Sequence, residues 1–351
     1  MSPRKPRPWP DTPAPLAAPV VDNHTHLPTH VGEIPRREGV ALSLDEQLGR
    51  AREVGVTAFI SSACELPDFD PMIELARVHK GVRVALAIHP NDAALHAGCA
   101  DPSPDSLVPI VREHHVPLVE ALVEVEKRLS DPMVVAVGES GLDYFRTAER
   151  GREVQKESFR AHIEMAQRAG LPLQIHDRDA HEDTLEILRE CASADQRIVF
   201  HCYSGDAAMA QRLAEHGWYA SFAGPVTYPA NSDLRAALAV LPRELVLVET
   251  DAPYLTPKPQ RGKLFDTRPM ARLPQCLLRH GPHRPIHRGA VGGQRSRCVR
   301  PTACEHRGRL RLLVVSFSVG QASFDAAQQR GRGSFWAARP RVRCIKRVAK
   351  R

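Results

Sequence analysis

Eight short apolar runs recur between residues 20 and 253, each separated from the next by a longer amphipathic stretch. The runs are VVDNHTH (20–26), VTAFISSA (56–63), VRVALAIHP (82–90), MVVAVGESGLD (133–143), LPLQIHDR (171–178), RIVFHCYSG (197–205), WYASFAGPV (218–226) and ELVLVETDAP (244–253). Near-continuous apolar runs suit parallel strands, because the crossover helices between successive strands bury both faces of the sheet. The intervening stretches read as those helices. In REVQKESFRAHIEMAQRAG (152–170), Val154, Phe159, Ile163, Met165 and Ala166 form a stripe at helical spacing, and Gly170 supplies a C-cap. Eight strand–helix alternations predict an α/β fold, a (β/α)8 TIM barrel. A doubly wound sheet is the structural rival, but no Gly-rich phosphate fingerprint follows any strand.

A length of 351 residues fits one such barrel with extensions, or two medium domains. Residues 1–19 are Pro-rich and read as a flexible leader, and residues 20–263 carry the barrel pattern. No apolar run approaches the roughly 18 residues that span a bilayer, and the N-terminus lacks the apolar middle of a signal peptide. Eight Cys are too sparse for a disulfide scaffold, which predicts a reducing, cytoplasmic setting and no membrane partner.

Past Lys263 the rhythm stops. Only LRLLVVSFSV (310–319) is apolar enough for a strand, and no trustworthy amphipathic helix follows the eighth run, so the closing C-terminal helices are expected to be missing or disrupted. Residues 264–351 hold 20 Lys and Arg against 3 Asp and Glu, whereas 1–263 hold 28 basic and 38 acidic residues. The overall charge of +7 therefore hides an acidic body and a strongly basic tail.

Polar residues gather at one end of the predicted strands. His24 and His26 close the first, Glu139 the fourth, His176 the fifth, His201 the sixth and Asp251 the eighth. In a parallel barrel all strand C-termini face one mouth, so these six side chains can converge. Four imidazoles and two carboxylates suit one or two divalent metals. His-x-His on a strand puts both rings on one face, since side chains alternate with period two. By the same alternation Cys202 points away from His201 and reads as core. A lone strand-end His is more often structural than a ligand; it is the six together that point to a metal centre. No Gly-x-Ser-x-Gly elbow supports serine hydrolase chemistry.

The segments VDNHTHL (21–27), VGESGLDYFR (137–146), LPLQIHDRDA (171–180), FHCYSGD (200–206), FAGPVTY (222–228) and ETDAPYLTPKPQRGK (249–263) resemble the TatD family of metal-dependent deoxyribonucleases, among the amidohydrolase-like barrels. The resemblance covers about residues 20–263. It implies a 3′-to-5′ exonuclease or related phosphodiesterase that acts on DNA, chiefly single-stranded ends. It also implies two divalent ions, Mg²⁺ foremost, with Mn²⁺ or Zn²⁺ as alternatives. Carried over by position, His24 and His26 would hold the first ion, Glu139 would bridge, and His176 and His201 would hold the second. Asp251 would bind the first ion and handle a proton, which makes Asp251 and Glu139 the catalytic carboxylates. A Glu at the fourth strand, rather than a Lys, separates the chain from relatives bridged by a carboxylated Lys.

His89 in AIHPND (87–92) matches the family's His-Pro; it either touches a scissile phosphate or packs on Pro90. Arg178, two residues after His176, either grips phosphate or pairs with Asp177 or Asp179. Two other functional readings stay open: an amidohydrolase cleaving amides, esters or lactones, and a silent nucleic-acid-binding protein dominated by its tail.

The tail departs from the family pattern within a few residues of Lys263. Of its 20 basic residues 18 are Arg, with Cys276, Cys298, Cys304 and Cys344 scattered among them. A shifted reading frame in a GC-rich gene produces such text, and we expect a frameshift near codons 263–275. The rival reading is a basic nucleic-acid arm. Stacking aromatics are scarce there (Phe317, Phe324, Phe335 and Trp336), and Cys298, Cys304 and His306 have the wrong spacing for zinc.

Overall fold

In a computed structural model of the chain, residues 12–29, 36–37 and 40–261 are described. The eight apolar runs all become strands: β1 (Val20–Thr25), β2 (Val56–Ala63), β3 (Val82–Leu86), β4 (Val134–Asp143), β5 (Leu173–Arg178), β6 (Ile198–Phe200), β7 (Tyr219–Phe222) and β8 (Val246–Val248). They form one sheet in sequence order, and every neighbouring pair is parallel.

Beyond β8 the chain returns to β1. The Asp251 N–H donates to the His24 carbonyl at 2.9 Å and the His26 N–H to the Ala252 carbonyl at 2.8 Å. Deeper in the seam, the Thr250 N–H and hydroxyl donate to the buried Asp22 carboxylate at 2.9 and 2.6 Å. The parallel order and this seam give the expected (β/α)8 barrel.

Helices α1 (Leu44–Glu53), α2 (Phe69–Val78), α3 (Pro90–His96), α4 (Leu118–Arg128), α5 (Glu149–Ala169), α6 (His181–Cys191), α7 (Ala207–His216) and α8 (Ser232–Val240) fill the connections. Local chemistry fixes their ends. Ser43 and Glu46 form a capping box on α1. Gly170, at φ 65°, caps α5 as expected. The buried face of α5 includes Phe159, Ile163, Met165 and Ala166, but also Gln155, Ser158 and His162, while Val154 is only half-buried.

Those polar groups are all engaged. The Gln155 amide donates to Thr147 Oγ1 at 2.7 Å and accepts the Asp143 N–H at 2.9 Å. His162 Nδ1–H donates to the Ser158 carbonyl at 2.7 Å, and Nε2 accepts the Ile88 N–H at 3.1 Å. Thus α5 pins the chain just past β3, beside His89, and the end of β4 at Asp143.

Before β1, the Leu16 N–H donates to the Val54 carbonyl at 3.0 Å and the Leu16 side chain packs on the core. The segment 264–351, with its expected disruption, lies outside the described residues. No helix among the described residues is long and apolar enough to cross a membrane.

Candidate metal centre

The strand ends open into a cavity of about 1490 Å³. Two irregularities in strand pairing aim its deepest side chains. Between Asp22 and Thr25 the first strand advances three residues while β2 advances two, and between Val137 and Ser140 β4 does the same against β5. Each shift inserts one extra residue, a bulge that re-aims a side chain. The first contains His24 and the second Glu139.

All six predicted side chains come together around the Glu139 carboxylate. On one side, Oε1 lies 3.7 Å from His24 Nε2 and 3.5 Å from His26 Nε2. Asp251 Oδ1 closes that group, 3.8 and 3.3 Å from the same nitrogens. On the other side, Oε2 lies 3.2 Å from His176 Nδ1 and 2.5 Å from His201 Nε2. The two His24 and His26 Nε2 atoms are 3.3 Å apart.

Further side chains orient these rings. His24 Nδ1–H donates to Gln174 Oε1 at 3.2 Å, because an amide oxygen only accepts, so Nε2 presents a lone pair. Gln174 is itself oriented by donating to the Asn23 carbonyl at 2.7 Å. His176 Nε2 faces Asp143 Oδ2 at 3.1 Å, and His201 Nδ1 lies 3.5 Å from Glu249 Oε1. Carboxylate and amide partners on the far nitrogen are the usual means of fixing a metal-binding imidazole.

The electrostatics demand positive charge. Burial opposes ionisation of Glu139, but His201, His24 and His176 outweigh it and hold the carboxyl well below its usual range. Burial likewise opposes the His176 cation, yet Asp143 and Glu139 raise it to about 9. His201 is driven well above its ordinary value by Glu139 and Glu249 against the same burial cost. Burial would raise Asp251, but His26 and His24 keep it low.

A divalent cation meets the same demand. Bonds of about 2.1 Å in tetrahedral geometry separate ligand atoms by about 3.4 Å, close to most of these spacings. The groups His24/His26/Glu139 and His24/His201/Asp251 each offer ligand atoms within 4.8 Å of one another, so the residues present fit a metal.

His89 caps α3, and its Nδ1 accepts the Asn91 N–H at 3.1 Å. Its proton therefore sits on Nε2, which is a donor. Burial and the nearby His176 lower its pKa to about 4, so the ring is neutral at pH 7. Arg178 is exposed at the cavity rim and makes neither of the ion pairs weighed for it among the described residues. Its guanidinium lies 3.9 Å over the Phe145 ring.

Cys202 corrects the expectation of a core thiol. The sixth strand ends at Phe200, and Cys202 takes φ 41°, so strand alternation no longer applies. The residue is half-buried and lines the cavity, with its N–H donating to Glu249 Oε1 at 2.6 Å. Gln174, Asp143 and Glu249 went unnoticed in the sequence. The period-two signal was there for Gln174, which precedes His176 by two within β5, but not for Glu249, since β8 ends at Val248.

A sequence profile described as TatD related DNase matches residues 21–279. The match runs past Lys263 into the segment whose text departs from the pattern. The Mycobacterium tuberculosis protein named uncharacterized metal-dependent hydrolase TatD is 36% identical over 262 residues, which is 74% of this chain and 86% of that protein. A Cronobacter turicensis protein named 3′-5′ ssDNA/RNA exonuclease TatD is 30% identical over 215 residues, 61% of this chain and 73% of its own. The crystal structure of the TatD homologue YjjV from Escherichia coli superposes with a TM-score of 0.61 at 26% identity, covering 76% of this chain and 91% of that one. Barrel, converging strand ends and sequence match agree: the chain belongs to the TatD-related DNase family of metal-dependent hydrolases.

Proposed function

We propose that the chain hydrolyses phosphodiester bonds of DNA from the 3′ end, preferring single-stranded ends, with two divalent ions held on either side of Glu139. In this reading His24, His26 and Asp251 hold one ion and His176 and His201 the other, with Glu139 shared. Mg²⁺ is the first candidate, with Mn²⁺ and Zn²⁺ as alternatives. The observation that carries the reading is the division around Glu139, whose two oxygens face separate groups of imidazoles. The name of the Cronobacter relative supports the substrate class.

When bound, such ions polarise a phosphoryl oxygen and acidify an attacking water. The chain's own groups do the rest. Asp251, ionised at neutral pH, stands ready to accept a proton. His89 would donate to a phosphate oxygen from Nε2, which carries the ring's proton because Nδ1 accepts the Asn91 N–H. Arg178, whose guanidinium lies over the Phe145 ring, is placed at the cavity rim to hold the next phosphate along the strand. The acidic body is partly offset by the ions at the mouth, which suits an enzyme that trims ends without reading sequence.

The test is nucleotide release from 3′-labelled single-stranded DNA by the full chain, with Mg²⁺, Mn²⁺ or EDTA. Release should require metal and should fall about 10²–10⁴-fold in Asp251→Ala. Release that survives both EDTA and the substitution would refute the reading. No release from folded, metal-loaded protein would transfer the assignment to an amide, ester or lactone substrate.

A further inference from the structure

A separate group of metal-ligating side chains gathers at α3, beside the cavity that Asp92 and Glu65 line. Asp92, in the first turn of that helix, offers a ligand atom within 4.8 Å of others on His114 and His115. Glu65, which follows β2, brings its Oε2 to 3.3 Å from His114 Nε2. That spacing is again close to the tetrahedral edge of about 3.4 Å. His114 Nε2 is buried and has no hydrogen-bond partner among the described residues.

The buried His96, whose ring lies 5.2 Å from that of His115, likewise leaves Nε2 unpartnered while Nδ1–H donates to the Val116 carbonyl at 2.6 Å. The positive charge in reach is Arg112, 3.7 Å from Glu65. The corner thus brings two carboxylates together with imidazole nitrogens that have no hydrogen-bond partner among the described residues.

The tautomer of His115 sorts the roles. Its Nδ1 accepts the Arg112 N–H at 2.8 Å, which leaves the proton on Nε2, and Nε2–H donates to Asp92 Oδ1 at 3.1 Å. His115 therefore orients a carboxylate instead of binding metal itself. We propose that Asp92, Glu65 and His114 hold one further divalent ion of the Zn²⁺ class, with His115 as the residue that positions Asp92. An imidazole with carboxylates is a donor set that Zn²⁺ and Co²⁺ accept.

Glu65 and Asp92 both line the cavity, so an ion can reach the site from it. The ion has a mechanical task as well. Residues 97–117 contain no helix or strand, and a stretch of that length inside a compact domain needs anchoring. A shared ion ties its His114 to the loop after β2 and to α3.

Equilibrium dialysis of the full chain against Co²⁺, over a concentration series, tests the site without reference to activity. His114→Ala and Glu65→Gln should each bind one Co²⁺ per chain fewer than the wild type. His115→Gln should keep the full number but weaken that one equivalent by about 10–100-fold, the usual effect of removing an orienting partner. Equal numbers and affinities in the wild type and both ligand variants would overturn the proposal. Glu65 is about a third exposed, so its substitution by the isosteric amide keeps the fold even where His114→Ala does not.

Discussion

Gln174 decides which nitrogen of His24 faces the carboxylates. Its amide oxygen takes the Nδ1 proton, and its amide nitrogen is tied to the Asn23 carbonyl, so the ring has one tautomer available. In Gln174→Leu that constraint is gone and a buried N–H is left unmatched, which costs about 1–3 kcal/mol. Metal affinity should fall about 10–100-fold, measured by competition with a chelator, while the other five predicted ligands are untouched. Unchanged affinity would mean that His24 needs no orienting partner. The six metal-binding candidates were legible because His, Glu and Asp at strand ends are conspicuous. Gln174 was not, since an uncharged amide inside LPLQIHDR looks like any strand residue until β1 is seen beside it. The Glu65–Asp92–His114 corner was missed for a related reason: its members are separated in sequence and meet only through a connection without regular structure.

At the scale of the element, β4 shows how a strand is shaped around chemistry. It carries Glu139 in a bulge and Asp143 at its end, with Gly141 between them at φ 145°, a conformation that favours glycine. A β-carbon on Gly141 would stand 2.1 Å from the His176 carbonyl oxygen, which is rigid backbone of the paired strand. Gly141→Ala should therefore destabilise the chain by roughly 1–3 kcal/mol or more and push β5 away from β4, seen as a lower urea midpoint with weaker metal retention. A midpoint equal to the wild type would show that the strands can part without cost. Strand existence was readable from the apolar runs, whereas the bulges were not, because register is a property of two strands. The Cys202 error has the same root. Alternation was extended past the point where β6 stops, and a left-handed turn re-aimed the side chain toward the cavity.

For the whole molecule, His162 couples stability to pH. Burial holds its folded pKa at about 4 against the ordinary 6.5. Between those values the unfolded chain takes up a proton that the folded one refuses, so this contribution is complete above pH 6.5 and declines as pH falls toward 4. By pH 5 the loss from this one residue is about 2 kcal/mol. Urea unfolding at pH 7 and pH 5 should show a drop smaller by about that amount in His162→Gln, whose amide oxygen can still accept the Ile88 N–H. An equal drop in both proteins would place the pH dependence elsewhere. The barrel as a whole was legible because its pattern repeats eight times, while the segment in which the closing helices are expected to be missing or disrupted lies outside the described residues. The seam between Asp22 and Thr250 has a further consequence. The two ends of one candidate metal group, His24 and Asp251, stand next to that seam, so they become neighbours only when the last strand docks on the first. A chain that stops short of residue 250 lacks Asp251 and its partner strand end, so it cannot assemble that group. The metal-binding end of the barrel is therefore the last part of the molecule to be finished, because it waits for the two ends of the barrel to meet.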